Sequence, residues 1–94
     1  MEYGVGIIGT GNIAETHANA VLAANGARLV ACYNHNAAKG DAFSSRFGIR
    51  SYHELDSFLS DGDVDIVMIA TPSGAHLEPA LAAIGSGKKA VIVE

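Results

Sequence analysis

From Tyr3 onward, the run Tyr3-Gly4-Val5-Gly6-Ile7-Ile8 passes directly into Gly9-Thr10-Gly11-Asn12-Ile13-Ala14, a short apolar strand followed by the pattern G-x-G-x-x-A. Three small residues at that spacing restrict what can follow the strand. Gly9 permits a tight strand-to-helix turn, Gly11 leaves bare backbone where a pyrophosphate can approach, and Ala14 lets the helix pack closely on the strand. The N–H groups of the first helical turn then face an anion, with the positive end of the helix dipole behind them. Such spacings also arise in ordinary tight turns. The strand before the pattern and the helical periodicity after it favour a dinucleotide-binding turn over an empty structural one.

At 94 residues, with 49% hydrophobic and 17% charged residues, the chain is expected to form one domain, 1–94, and a second domain does not fit. A chain of this size buries somewhat over ~60% of its unfolded surface, enough for a real but modest core. Ten acidic and six basic residues give a net charge of −4, and no basic patch with interleaved aromatics is present, so nucleic acid is not an expected partner. The single cysteine, Cys32, lies in the apolar run Leu29-Val30-Ala31-Cys32-Tyr33, which suits a reduced, buried thiol rather than a nucleophile. No apolar run approaches the ~18 to 20 residues of a membrane span, and the first residues lack the basic region of a targeting signal. A cytoplasmic protein without membrane contact is expected.

Apolar runs of strand length alternate with segments of helical period, the pattern of βαβ units around a parallel sheet. Strands are expected at 3–8, 27–33, 49–52, 64–70 and 90–93, most of them apolar on both faces and therefore covered by helices on both sides. Ile13, His17, Val21 and Leu22 trace one face of a helix over about 11–25, stopped by Gly26. A second helix is expected over 36–46, with Asn36 as N-cap, Phe43 and Phe47 four apart, and Gly48 as stop. Ser51-Tyr52-His53-Glu54 has capping-box spacing and should start a short helix through Leu55, Phe58 and Leu59. A last helix should follow Ser73, with Leu77, Leu81 and Ile84 on its apolar side. Right-handed crossovers and the glycine turn select a Rossmann-type, doubly wound parallel sheet of order 3-2-1-4-5 in a three-layer αβα architecture.

A ligand of such a sheet lies across the carboxyl ends of strands one and four, which makes two other strand ends informative. Asn34 follows strand two, 25 residues beyond Gly9, where an acidic residue ordinarily holds the adenosine ribose. An Asn can hydrogen-bond the ribose hydroxyls yet lacks the charge that repels a 2′-phosphate, and His35 and Lys39 are near enough in sequence to meet one. The choice between NAD and NADP stays open on these residues, as does a plain turn role for Asn34 and a solvated one for Lys39. Strand four runs into Ala70-Thr71-Pro72-Ser73-Gly74-Ala75-His76, where a rigid Pro turn delivers the chain to a helix N-terminus beside the same crevice. His76, in that first turn, is suited as neutral imidazole to hydrogen-bond a ligand. The four histidines, His17, His35, His53 and His76, fall in different segments without metal-ligand spacing, so no metal is expected. Asp61, Asp63 and Asp65 look like a solvated turn and strand start, Lys88 and Lys89 like a solubilising pair, and His53 like plain surface.

These residues carry a resemblance to the Gfo/Idh/MocA family of NAD(P)-dependent sugar and polyol oxidoreductases. It rests on Gly9-Thr10-Gly11-Asn12-Ile13-Ala14, on Ala42-Phe43 with Phe47-Gly48, on Ala70-Thr71-Pro72-Ser73 with His76, and on Gly87-Lys88-Lys89-Ala90-Val91-Ile92-Val93-Glu94, in order along the chain. The resemblance implies a cofactor domain, in which Gly9, Thr10, Gly11, Asn12 and Ile13 form the cofactor-binding turn and Asn34, His35 and Lys39 stand as the candidates at the strand-two end. It further implies the Thr71 and Pro72 backbone beside the nicotinamide half and Glu94 near the nicotinamide ribose, with Ser73 and His76 as further cofactor-binding candidates at the same crevice. In the family the last stretch continues into Lys-Pro, whose lysine is the acid/base, and a second α/β domain supplies the substrate pocket; this sequence has neither, so no catalytic residue is assigned. A fragment that binds cofactor without turnover is expected, its sugar or polyol substrate met only in a full-length parent. Its last strand is an edge open to pairing with other copies. A stand-alone nucleotide-binding or NAD(H)-sensing module is the competing expectation.

Overall fold

Strand β1 (Tyr3–Ile8) is buried along all but its first residue, because other strands occupy both of its edges. The computed structural model describes residues 2–70, 85, 87, 88 and 90–93. After β1 come α1 (Asn12–Ala23), β2 (Ala27–Tyr33), α2 (Ala37–Phe47), β3 (Arg50–Tyr52), α3 (Leu55–Leu59), β4 (Ile66–Ile69) and β5 (Ala90–Val93). Every strand pair is parallel and the sheet order is β3-β2-β1-β4-β5, the doubly wound Rossmann arrangement. The helix expected after Ser73 falls outside the described residues.

Parallel strands buried on both faces produce two apolar clusters, one on each side of the sheet. On one side Phe58 and Leu59 of α3 pack with Ile8, Val30, Val67 and Ile69. On the other, Ala14 and Ala18 of α1 and Phe43 of α2 pack with Ile7 and Cys32. The face of α1 differs from the one that hydrophobic spacing selects. Ala14, Ala18 and Val21 are its buried residues, whereas Ile13 is 51% and Leu22 60% exposed. A helix that leaves a two-glycine turn lies close to the sheet, so side-chain size decides which face turns inward.

Helix α2 follows its sequence signals closely. The Asn36 side chain accepts a hydrogen bond from the Lys39 N–H, Gly48 closes the helix at φ 66, and the Phe43 and Phe47 rings stand 4.8 Å apart. Arg46 near its end donates to both carboxylate oxygens of Glu15 on α1, at 2.8 and 2.7 Å. The capping box expected at Ser51 does not form. Ser51 pairs with Cys32 within the sheet, so α3 begins only at Leu55, with Glu54 at its N-cap and no side-chain cap. Strand β4 is also shorter than its apolar run, since the Val64 N–H turns back to the Asp61 carbonyl and the Asp65 N–H bonds the Gly4 carbonyl.

The loop into β4 is held far more tightly than a solvated turn. Asp61 is buried and receives the Arg50 guanidinium at 2.8 Å, the Tyr52 hydroxyl at 2.7 Å and the Asp63 N–H at 2.9 Å. Burial alone would raise the Asp61 carboxyl, but these donors and the Arg50 charge together hold it below its ordinary value of 3.8. Lys88 is likewise more than a solubilising charge, since its ammonium donates to the carbonyls of Asp61 and Val64 at 2.9 and 2.7 Å. Because these residues immediately precede β4 and β5, the network ties the amino ends of the strands together.

Two glycines of β1 let that loop close. A Cβ on Gly4 would clash with the Asp63 carbonyl oxygen, and one on Gly6 would lie 2.6 Å from the Phe58 ring and 2.9 Å from a Val64 methyl. Gly6→Ala should therefore cost about 1–3 kcal/mol through overpacking, read as a lower midpoint in urea with an unchanged slope. Asp61 supplies a second expectation. Its depressed carboxyl contributes stability that is complete above the ordinary value near 3.8 and is lost as pH falls through the lower folded-state value. Asp61→Asn should lower stability by about 1–2 kcal/mol at neutral pH and flatten its fall in acid, measured by denaturation between pH 7 and about 2.5.

Candidate functional site

Three strand ends converge where β1 gives way to α1. The Gly9 N–H bonds the Tyr33 carbonyl at the end of β2 at 2.9 Å, and the Ala70 N–H beyond β4 bonds the Ile8 carbonyl at 2.9 Å. These are carboxyl ends of neighbouring strands on both sides of the point where chain order reverses, the position at which open α/β sheets bind ligands.

The two glycines of the turn have different reasons for being glycine. Gly9 sits at φ 106, a conformation that L side chains rarely adopt. Gly11 has ordinary angles, φ −86 and ψ −163, and a Cβ built on it would meet nothing within 4 Å. Neither backbone geometry nor packing within the described chain requires glycine there. What the position offers is an open approach to bare backbone.

That approach leads to the start of α1. Gly11 is the N-cap and makes no side-chain capping bond, and the first intrahelical bond is Glu15 N–H to the Gly11 carbonyl at 3.0 Å. The amides of Asn12 and Ile13 thus precede the helical ladder, with the positive end of the helix dipole behind them. Glu15, the only acidic residue of the first turn, is met by Arg46 in the two-pronged pair described above, which offsets a charge that would oppose an anion. Asn12 and Ile13 are exposed and Thr10 is half-buried.

Asn34 joins this turn to the next. Its Nδ2 donates to Thr10 Oγ1 at 2.8 Å, and its Oδ1 accepts the Asn36 N–H at 2.8 Å. The side chain is therefore a bridge between the glycine turn and the N-terminus of α2, beyond anything sequence spacing indicated. His35 and Lys39 are exposed beside it. His53 is also more than plain surface, with Nδ1 3.3 Å from the Asn34 carbonyl and Nε2 3.4 Å from Asp41. Among the site residues expected from sequence, Gly9, Thr10, Gly11, Asn12, Ile13, Asn34, His35 and Lys39 are thus carried by two adjoining turns at one end of the sheet. Thr71, Pro72, Ser73, His76 and Glu94 lie outside the described residues.

Among the described residues, Cys32 is accounted for by burial. Burial pushes the Cys32 thiol up to about 11, with the Ser51 hydroxyl opposing and the Asp41 charge adding to the rise, and its Sγ faces the Gly40 carbonyl at 3.7 Å. A thiol so placed is a poor nucleophile. Among the described residues no group of three or more His, Cys, Asp or Glu side chains could hold a metal ion, and no helix is long and apolar enough to cross a membrane.

Comparison with known proteins bears on the same turn. Residues 3–94 match the model of an oxidoreductase family with an NAD-binding Rossmann fold, GFO_IDH_MocA. Glucose-6-phosphate 3-dehydrogenase of Bacillus subtilis is 34% identical over 84 residues, which are 89% of this chain and 23% of that protein. Inositol 2-dehydrogenase of Rhizobium meliloti is 33% identical over 73 residues, 78% of this chain and 22% of that protein. The myo-inositol dehydrogenase of Lactobacillus casei, solved in complex with NAD(H) and myo-inositol, superposes with a TM-score of 0.89 at 28% identity, covering 99% of this chain and 28% of that one. The chain thus spans about a quarter of the length of these relatives.

The contrast between the glycines is open to test by stability alone. Gly9→Ala should cost about 1–2 kcal/mol because the left-handed backbone must accept a Cβ. Gly11→Ala should cost no more than about 1 kcal/mol, the difference between Gly and Ala at an N-cap. Thermal unfolding of the two variants side by side checks the order.

Proposed function

The chain belongs to the Gfo/Idh/MocA oxidoreductase family, and we propose that residues 1–94 are the part that holds a nicotinamide dinucleotide for hydride transfer to or from a sugar or polyol. The observation that carries this reading is Gly11, a glycine whose ordinary dihedrals and empty Cβ position make sense where bare backbone must approach a ligand. The residues present fit the group: an uncapped helix N-terminus for the pyrophosphate, and a polar turn after β2 for the adenosine ribose.

In this reading Gly9 shapes the turn and Gly11 leaves the approach open. The amides of Asn12 and Ile13 donate to phosphate oxygens, and the Thr10 hydroxyl, held by Asn34, lines the same turn. Arg46 keeps the Glu15 carboxylate paired, so the mouth of α1 remains attractive to an anion. Asn34, His35 and Lys39 serve the adenosine ribose. By resemblance to the family, the Thr71 and Pro72 backbone would flank the nicotinamide half and Glu94 would lie near its ribose, with Ser73 and His76 as further cofactor-binding candidates. When bound, the nicotinamide supplies the hydride chemistry; the acid/base lysine and the substrate pocket belong to the longer parent. A cytoplasmic setting and self-association along β5 are parts of the same proposal.

The test is calorimetric titration of the chain with NAD(H) and NADP(H), with Gly11→Val as the comparison. The expected result is micromolar to millimolar binding, weakened at least about tenfold in a variant that still unfolds cooperatively, a loss of about 1.4 kcal/mol. Equal binding by the folded variant would rule out the glycine turn as the phosphate site.

A further inference from the structure

We infer that the turn between β2 and α2 is built for an adenosine ribose bearing a 2′-phosphate, so that this chain takes NADP(H) in preference to NAD(H); the inference rests on the dinucleotide reading above. Its basis is the orientation of one amide. The backbone N–H of Asn36 is a donor, so it can face only the oxygen of the Asn34 side chain, at 2.8 Å. That contact fixes which way the amide points and places Nδ2 toward Thr10 Oγ1, at 2.8 Å. Nδ2 carries two hydrogens and the Thr10 oxygen takes one. The group left at the junction of the two turns is a donor.

A ribose with two free hydroxyls is best met by a carboxylate, which accepts from both. A phosphate monoester brings charged acceptor oxygens and needs donors and positive charge. The local sequence supplies the second set. Residues 34–40 read Asn-His-Asn-Ala-Ala-Lys-Gly without an acid, and α2 has no acidic residue in its first turn. Lys39, in that turn, is exposed and has no acidic partner among the described residues. Asp41, the next acid along the chain, is engaged by His53 at 3.4 Å.

Asn34→Asp tests the idea with little structural change. The Asn36 N–H can still donate to one carboxylate oxygen, and the Thr10 hydroxyl can rotate to donate to the other. Only the charge and the direction of hydrogen bonding at the ribose change. Calorimetric titration of the chain, Asn34→Asp and Lys39→Gln with NADP+ and NAD+, each protein checked by thermal unfolding, reads the preference. The expected result is NADP+ bound at least about fivefold more tightly than NAD+ by the parent chain, that order inverted by Asn34→Asp, and NADP+ alone weakened by Lys39→Gln. NAD+ bound by the parent chain as tightly as NADP+ or more so overturns the inference, as does a ratio that neither substitution moves. Binding of neither dinucleotide by the folded chain overturns the underlying reading, and this preference with it.

Discussion

The closeness with which β1 can be approached governs the rest of the molecule. It is the central strand, hydrogen-bonded to β2 on one edge and β4 on the other, and its side chains at Gly4 and Gly6 are reduced to hydrogen. The Asp63 carbonyl, Phe58 and Val64 fill the space that larger residues would occupy. Because Phe58 is fully buried there, α3 sits low on the sheet, and the ring contacts of Tyr33 and Tyr52 with Phe58 at 6.2 and 6.1 Å extend that layer to β3. On the opposite face the same logic selects Ala14 and Ala18. Gly4 and Gly6 thus set how closely the Asp63 loop and α3 approach β1 on one face, while on the other Ile7 meets the small Ala14 and Ala18.

The two ends of the sheet are held by different chemistry. At the amino end, charged side chains converge on Asp61 and its loop: Arg50 bridges Asp61 and Asp63, and Lys88 reaches the loop carbonyls from the entry to β5. At the carboxyl end the two turns are joined by short neutral hydrogen bonds, running from Asn34 to Thr10 and to the backbone of α2, with the Arg46–Glu15 pair beside them at the first turn of α1. The charge-rich end is satisfied by its own members, while the carboxyl end keeps backbone donors of α1 outside the helical ladder. This division places rigidity on one side and binding capacity on the other, as the topology of an open α/β sheet favours.

Much of this was legible in the sequence because it depends on local pattern. The strand limits of β1, β2 and β5, the sheet order, the Asn36 cap and the Gly48 stop all follow from runs of a few residues, and so does the glycine turn. What escaped depends on contacts between distant positions. Asp61 reads as a turn residue until Arg50 and Tyr52 are brought beside it, Lys88 reads as a surface charge until the loop carbonyls face it, and the Arg46 pair with Glu15 has no spacing signature. On α1 hydrophobicity ranks Ile13 and Leu22 above Ala14 and Ala18, whereas the sheet admits the smaller pair together with Val21. Ser51 has the spacing of a cap, yet pairing of β3 with β2 claimed it first. At the two turns the hydrogen bonding had no signal in the sequence; that Asn34 bridges them is a fact of three dimensions.

Cys32 gives the molecule a reporter of its own motions. Its sulfur is fully excluded from solvent in the strand beside β1, beneath the first turns of α2, and its raised pKa suppresses the thiolate that reagents attack. Alkylation in the native protein must therefore wait for β2 and α2 to part, and in the limit of rapid reclosing its rate measures the population of that opened form. A ligand bridging the turns after β1 and β2 would hold those elements together and slow the chemistry at a site it never touches. The single thiol, inert as a nucleophile, is in this way a clock for the parting of β2 and α2.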